Sequence, residues 1–184
     1  MKMYEWYILA TVIVAFTGYL FTYWSNLRNA RHQAELELVN RRLNKFYGPL
    51  YIIVRTTDIA YQEHLSKQRN QIHEPHRKLS TKEREDYRAW VMGVYSPMAE
   101  KLSELILNGA HLIREEKMPL ALLNLIAHVS VTKALIYKLE TGDYSELNPT
   151  IDYPFKEIMA YAEKSYSELK AQQLKLIGIL DIKW

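Results

Sequence analysis

The sequence predicts an all-α protein: one N-terminal transmembrane helix continuing into a helical stalk and a cytosolic helical bundle. Three observations carry this expectation. Trp6 to Trp24, WYILATVIVAFTGYLFTYW, contains no charged residue. Beyond it, apolar residues recur at spacings of three and four. No useful length of β-branched alternation appears, and only 6 Gly and 6 Pro punctuate the 184 residues.

At the helical rise, Trp6–Trp24 reaches about 28 Å, close to the hydrocarbon thickness of a bilayer. Tyr4, Trp6 and Tyr7 ring one end; Tyr19, Phe21, Tyr23 and Trp24 ring the other, as the two membrane interfaces select. A cleaved signal calls for small residues where Tyr23 and Trp24 stand. An interfacial helix calls for one strongly charged face, which is missing. Residues 1–24 therefore read as a span with a short outside end. Lys2 and the amino terminus, opposed by Glu5, precede it, whereas Arg28, Arg31, Arg41 and Arg42 follow. The positive-inside rule then puts the N-terminus outside and the C-terminal part in the cytoplasm. The absence of cysteine fits that compartment.

Residues 25–47 lack Gly and Pro and extend the helix as a stalk as far as Tyr47, where Gly48-Pro49 interrupts it. One face holds Leu27, Ala30, Ala34 and Leu38; an adjacent one holds Leu36, Val39, Leu43, Phe46 and Tyr47. A continuous stalk is expected to transmit displacement between cytosol and membrane. Residues 48–184 form the cytosolic helical domain, long enough for a genuine core. A second helix aligns Leu50, Val54, Thr57, Tyr61 and Leu65, then gives way to a polar loop from Lys67 to Leu79. Ser80 opens a capping box with Glu83. Tyr87, Trp90, Val91, Val94 and Met98 follow on one face, and Pro97 either kinks that helix or starts the next behind a Ser96 cap. Leu102, Leu105, Ile106, Leu112 and Ile113 continue the stripe past a break at Asn108-Gly109. Pro119–Thr132 carries no charge, is too short to span a bilayer and is apolar nearly all round, which predicts a buried central helix. After a loop at Thr141–Tyr153, the last helix starts near Pro154 with Phe155, Ile158, Met159, Ala162, Tyr166, Leu169 and Leu176 inward. No internal repeat is apparent.

The chemistry of an enzyme is absent from the pattern: no phosphate loop, no H-E-x-x-H, no cysteine, no recognisable nucleophile setting. No cofactor is expected. His73 and His76 flank Glu74-Pro75 and read as loop histidines rather than metal ligands; His111 and His128 read as hydrogen-bonded core residues. Between Lys67 and Arg88, Lys67, Arg69, Arg77, Lys78, Lys82, Arg84 and Arg88 outweigh Glu74, Glu83, Glu85 and Asp86 by three, which equals the formal charge of +3 of the whole chain. Arg77, Lys78, Arg84 and Arg88 are candidate ligands for phosphates, with Tyr87 or Trp90 as a stacking face. A solvated loop, or contact with anionic lipid, is the plainer alternative. Arg41 and Arg42, with Lys45, form a second basic group that an oligomer would repeat around its axis. The tyrosines after the span read mainly as core packing. Inside the span, Thr11, Ala15, Gly18 and Thr22 make a narrow small-residue stripe suited to helix assembly or a pore lining.

Leu43–Leu50, LNKFYGPL, resembles a segment of small bacterial proteins with an N-terminal membrane helix, and Trp90–Pro97 with Leu105–Ile113, LILNGAHLI, is similar to their next recurring block. Some proteins of this architecture resemble membrane effectors of bacterial anti-phage operons, of which the Hailong type is the nearest. That resemblance implies residence in the bacterial inner membrane and a homo-oligomer of about four chains. It also implies a gated ion channel built from the N-terminal helices, held by a single-stranded DNA oligomer or nucleotide that a partner nucleotidyltransferase makes. No ligand position is carried over from it. The alternative from the residues alone is a membrane-tethered interaction module with the span as a plain anchor.

Overall fold

The computed structural model describes residues 3–68, 80–141 and 155–178, and among these every regular element is helical. The order is α1 (Met3–Arg42), a π-helical turn (Leu43–Tyr47), α2 (Gly48–Gln68), α3 (Thr81–Trp90), a second π-helical turn (Val91–Tyr95), α4 (Ser96–Gly109), a 3-10 turn (Ala110–Leu112), α5 (Leu120–Glu140) and α6 (Phe155–Leu176). The chain divides into two compact units, Met1–Asn40 with Gln172–Trp184, and Arg41–Ala171.

In the first unit, every side chain described between Trp6 and Trp24 is exposed, Phe21 at 77% and Trp24 at 68%. The threonine hydroxyls there are satisfied locally: Thr11 donates to the Tyr7 carbonyl at 2.8 Å, Thr17 to Ile13 at 2.7 Å and Thr22 to Gly18 at 2.9 Å. Further along α1, Val39 is buried and the last turns of α6 pair beside it. The Gln173 amide donates to Asn40 at 2.6 Å, the Gln172 amide donates to Glu35 at 3.0 Å, and His32 Nε2 lies 2.9 Å from the Leu176 carbonyl. Gly178 closes α6 with φ +75°, a conformation glycine adopts without strain.

The second unit corrects the expected break at Gly48-Pro49. Pro49 has no N–H to offer the carbonyl four residues back, and the chain answers by widening rather than stopping. Gly48 N–H bonds to the Leu43 carbonyl, five residues back. A Cβ on Gly48 would stand 2.5 Å from that oxygen, a close contact that glycine avoids in this first turn. The same device recurs at Ser96-Pro97, where Ser96 N–H bonds to the Val91 carbonyl. Ser96 opens α4 without acting as a side-chain cap. LNKFYGP and VMGVYSP thus share one plan, Tyr-(Gly/Ser)-Pro closing a π turn.

The core gathers Leu43, Phe46, Tyr47, Leu50 and Val54 with Leu102 and Ile106 of α4, Leu112 of the 3-10 turn, Leu122 and Leu125 of α5, and Ile158, Ala162 and Leu169 of α6. Each large apolar side chain buried this fully is worth about 1.5–3 kcal/mol over its exposed state. Half-buried Met159 and Tyr166 lie on the inward face of α6 as the spacing expects, buried Ser165 joins it beyond that expectation, and the Phe155 side chain lies outside the description. Tyr166 stacks on Tyr51 with centroids 5.0 Å apart. The break after Asn108 falls where expected, α4 ending at Gly109.

Helix α5 differs from the expected buried central helix. It runs to Glu140, past Thr132, and packs on α4 through one stripe, Leu122, Leu125, Val129 and Thr132. Leu120, Leu123, Ala127, Val131, Ala134 and Tyr137 are exposed. An apolar helix has more than one apolar face, and α4 covers only one of them. Among the described residues, Leu120–Lys138 is the helix long and apolar enough to cross a membrane, by length and composition only. Trp6–Trp24 includes Ile8 and Leu9, whose side chains lie outside the description.

Candidate ligand-binding surface

Helix α3 begins as its sequence signal requires. Ser80 Oγ accepts the Glu83 N–H at 3.3 Å, and Glu83 Oε2 accepts the Ser80 N–H at 2.7 Å, a reciprocal capping box. That start sets Arg84 and Arg88 one turn apart, both half-buried. Arg88 Nε contacts the Met92 sulfur at 3.4 Å, which draws its stem along the following π turn. Arg77 and Lys78, the other predicted cations of this window, lie outside the described residues, as do His73 and His76.

The aromatic residues next to these cations are engaged within the fold. Trp90 meets Tyr61 at 6.2 Å and His64 at 5.1 Å, both edge to face, and Tyr95 at 6.0 Å with a tilt. Tyr95 Oη stands 2.8 Å from His128 Nε2. Burial, with Tyr61 adding to it, pushes the Tyr87 phenol above its ordinary value; burial holds His128 below its own. Trp90 is half-buried among these three rings. His128 is hydrogen-bonded as expected, whereas His111 is exposed in the middle of the 3-10 turn instead of buried.

A second polar group, which the sequence reading missed, surrounds Tyr47. Its hydroxyl accepts the backbone N–H of Arg114 at 3.0 Å, lies 3.3 Å from Tyr161 Oη and donates to Glu115 Oε2 at 3.3 Å. Tyr161 also reaches Glu115 Oε2, at 3.2 Å. The Arg114 guanidinium sits 5.7 Å from the Tyr47 ring centroid and bonds Glu168 Oε2 at 2.7 Å. Burial first, then the bond to Tyr47 and the Glu115 charge, raise the Tyr161 phenol far above its usual range; it stays a proton donor at neutral pH. The bond from Arg114 lowers the Glu168 carboxyl. This arrangement ties the first π turn to α6 and to the segment after the 3-10 turn. It brings together two phenols, the Glu115 carboxylate and an arginine paired with Glu168. Its only trace in the sequence is Tyr47 within LNKFYGPL; Arg114 and Glu168 are 54 residues apart.

Arg41 and Arg42 close α1. Arg41 is exposed; Arg42 is half-buried, and its Nε is buried without a hydrogen-bond partner, as is that of Arg114. A buried guanidinium donor without an acceptor is costly unless an anion or water supplies one. The structure therefore places the predicted cations on two separate elements, α3 and the end of α1. Thr11, Ala15, Gly18 and Thr22 are all exposed on α1, and nothing approaches within 4 Å of where a Gly18 Cβ would lie. No group of three His, Cys, Asp or Glu among the described residues can hold a metal ion. No protein-family model, curated protein or solved structure matches the chain.

Proposed function

We propose that the chain is an oligomeric single-span membrane effector of bacterial anti-phage defence, forming a pore or disrupting the membrane under the control of an anionic ligand, a nucleotide or DNA oligomer. Trp6–Trp24 is the span, with the N-terminus outside the inner membrane and the helical remainder in the cytoplasm. The observation that carries the membrane part is the exposure of that charge-free helix along its length. Such an apolar surface is far larger than a water-soluble monomer leaves bare. Lipid suits it: its backbone is bonded within the helix, and Thr11, Thr17 and Thr22 give their protons to carbonyls one turn back. The ligand part is supported by Arg84 and Arg88 on α3 and by the unanswered Nε of Arg42. The defence role is supported by the resemblance of LNKFYGPL and LILNGAHLI alone.

One observation favours the second reading, a tethered interaction module. The hydroxyls of the Thr11–Thr22 stripe are spent within their own helix, so the stripe does not need a neighbour. Full-length protein in vesicles separates the two. It should resist alkaline extraction in both cases; release into the aqueous fraction removes the span. Ion flux that Gly18→Leu alters supports the effector, and no flux at any ligand concentration leaves the anchor. Oligonucleotide binding at moderate salt that Arg84→Glu with Arg88→Glu leaves intact removes α3 from the ligand site.

A further inference from the structure

Three side-chain hydrogen bonds fix the direction of the last turns of α6 beside α1. Gln173 meets Asn40 at 2.6 Å, Gln172 meets Glu35 at 3.0 Å, and His32 Nε2 stands 2.9 Å from the Leu176 carbonyl. As α6 advances from Gln173 to Leu176, its partner on α1 steps back from Asn40 to His32. The two helices therefore run antiparallel here, and the end of α6 points along α1 toward Trp24. His32 lies about 12 Å from Trp24 along the helix. A headgroup layer is about 5–8 Å deep, so with Trp6–Trp24 in the bilayer the end of α6 stands just outside that layer. We infer that Lys175–Trp184 is a second membrane contact, which docks on the anionic headgroups of the cytosolic leaflet beside the span. The inference rests on the span proposed above and gives this stretch a lipid partner.

Position, composition and charge agree on that partner. Gly178, at φ +75°, ends the helix where it faces the membrane, and Ile177 beside it is 47% exposed. The sequence continues Ile179-Leu180-Asp181-Ile182-Lys183-Trp184. Aliphatic side chains with a tryptophan and a lysine are what the membrane interface selects: the ring sits at headgroup level and the ammonium reaches water. Extended chain covers about 3.3 Å per residue, so the few residues after Leu176 close the remaining gap. The same level of the protein is cationic. Between Trp24 and His32, α1 carries exposed Arg28 and Arg31 and no acidic residue. Helix α6 adds exposed Lys175, and the sequence adds Lys183, against Asp181 alone. Anionic lipid draws such cations in, and its surface potential extends about 8 Å into the water, over the height at which they stand.

The chain has no cysteine, so one introduced thiol takes one label. Full-length Asp181→Cys carrying a fluorophore is placed in lipid nanodiscs, both of whose faces are open to solvent. A nitroxide on the lipid headgroups should quench it, and iodide in the water should quench it little. Lipid quenching should rise when phosphatidylserine replaces part of the phosphatidylcholine, and fall with added salt. The same label at Glu37→Cys, exposed on α1 about 20 Å from Trp24, should answer to iodide only. His32→Ala unpins Leu176, and Lys175→Glu with Lys183→Glu reverses the charge. Each should remove most of the phosphatidylserine-dependent quenching with helicity unchanged. A label open to iodide and untouched by lipid overturns the contact. So does a label shielded from both quenchers, which assigns the stretch to the fold or to a second copy. Lipid quenching indifferent to phosphatidylserine and salt overturns the headgroup contact as well. Alkaline extraction from vesicles reads the span separately. Resistance to it with an iodide-open label rejects the second contact and leaves the membrane effector standing, whereas release into water removes both.

Discussion

Gly109 holds its bare α-carbon against the ring of Phe46: a Cβ there would overlap Cδ2 and stand 3.1 Å from Cε2. Phe46 is fully buried on the first π turn, and Gly109 ends α4, so this contact sets how closely the two elements approach. Gly109→Ala should therefore destabilise the fold by about 1–3 kcal/mol, the usual cost of overpacking, although alanine is the better helix former. A denaturant midpoint that stays put or rises removes the contact from the account.

Tyr47→Phe keeps the ring and deletes the hydroxyl that accepts the Arg114 N–H and bonds Glu115. The loss should be about 1–3 kcal/mol, because a half-buried donor is left without its acceptor. Amide hydrogen exchange at Arg114 is the sharper readout: protection falls there first. Unchanged exchange assigns that amide another acceptor.

Ser80→Ala should cost about 0.5–2 kcal/mol by freeing the Glu83 N–H. The effect belongs to the first turn of α3, so exchange rises across Thr81–Arg84 with little change in α4. Glu83→Gln keeps a side-chain acceptor for the Ser80 N–H and should lose less.

The His128 imidazole, lowered by burial, makes stability fall on mild acidification. Above about pH 6.5 the group is neutral both folded and unfolded. Below that value the unfolded chain takes up the proton first, so stability declines from there toward the lower folded value. Glu168, also lowered, acts in a more acidic window, below the ordinary carboxylate range. Denaturation midpoints compared at about pH 7.5 and about pH 5.5 should differ for the native chain and differ less for His128→Phe. Equal slopes in the two proteins clear His128 of the effect.

Local signals were the legible part of the sequence. Ser80-x-x-Glu83 specified its own cap, Gly109 marked the end of α4, and the spacing on α6 picked out Ile158, Ala162 and Leu169 correctly. What depended on partners was not legible. Gly48-Pro49 reads as a stop because the missing N–H is visible in the sequence, while the compensating bond to Leu43 is not. Periodicity showed that α5 is apolar, but not that α4 would cover only one side of it. The cations were visible as residues, whereas the pairing of Arg114 with Glu168 depends on how α6 lies beside the segment after α4. Arg77 and Lys78 fall outside the described residues.

Each π turn holds one residue more than an ordinary helical turn, and that surplus works as a phase shifter. Every side chain after Tyr47 or after Tyr95 is rotated by about 100° from where an unbroken α-helix would point it. Deleting a single residue within Leu43–Tyr47 would leave Pro49 inside an ordinary helical turn and rotate Leu50, Val54 and Thr57 away from the core they now enter. Chain length inside these two cassettes is thus held by geometry, more strictly than the identity of several residues within them.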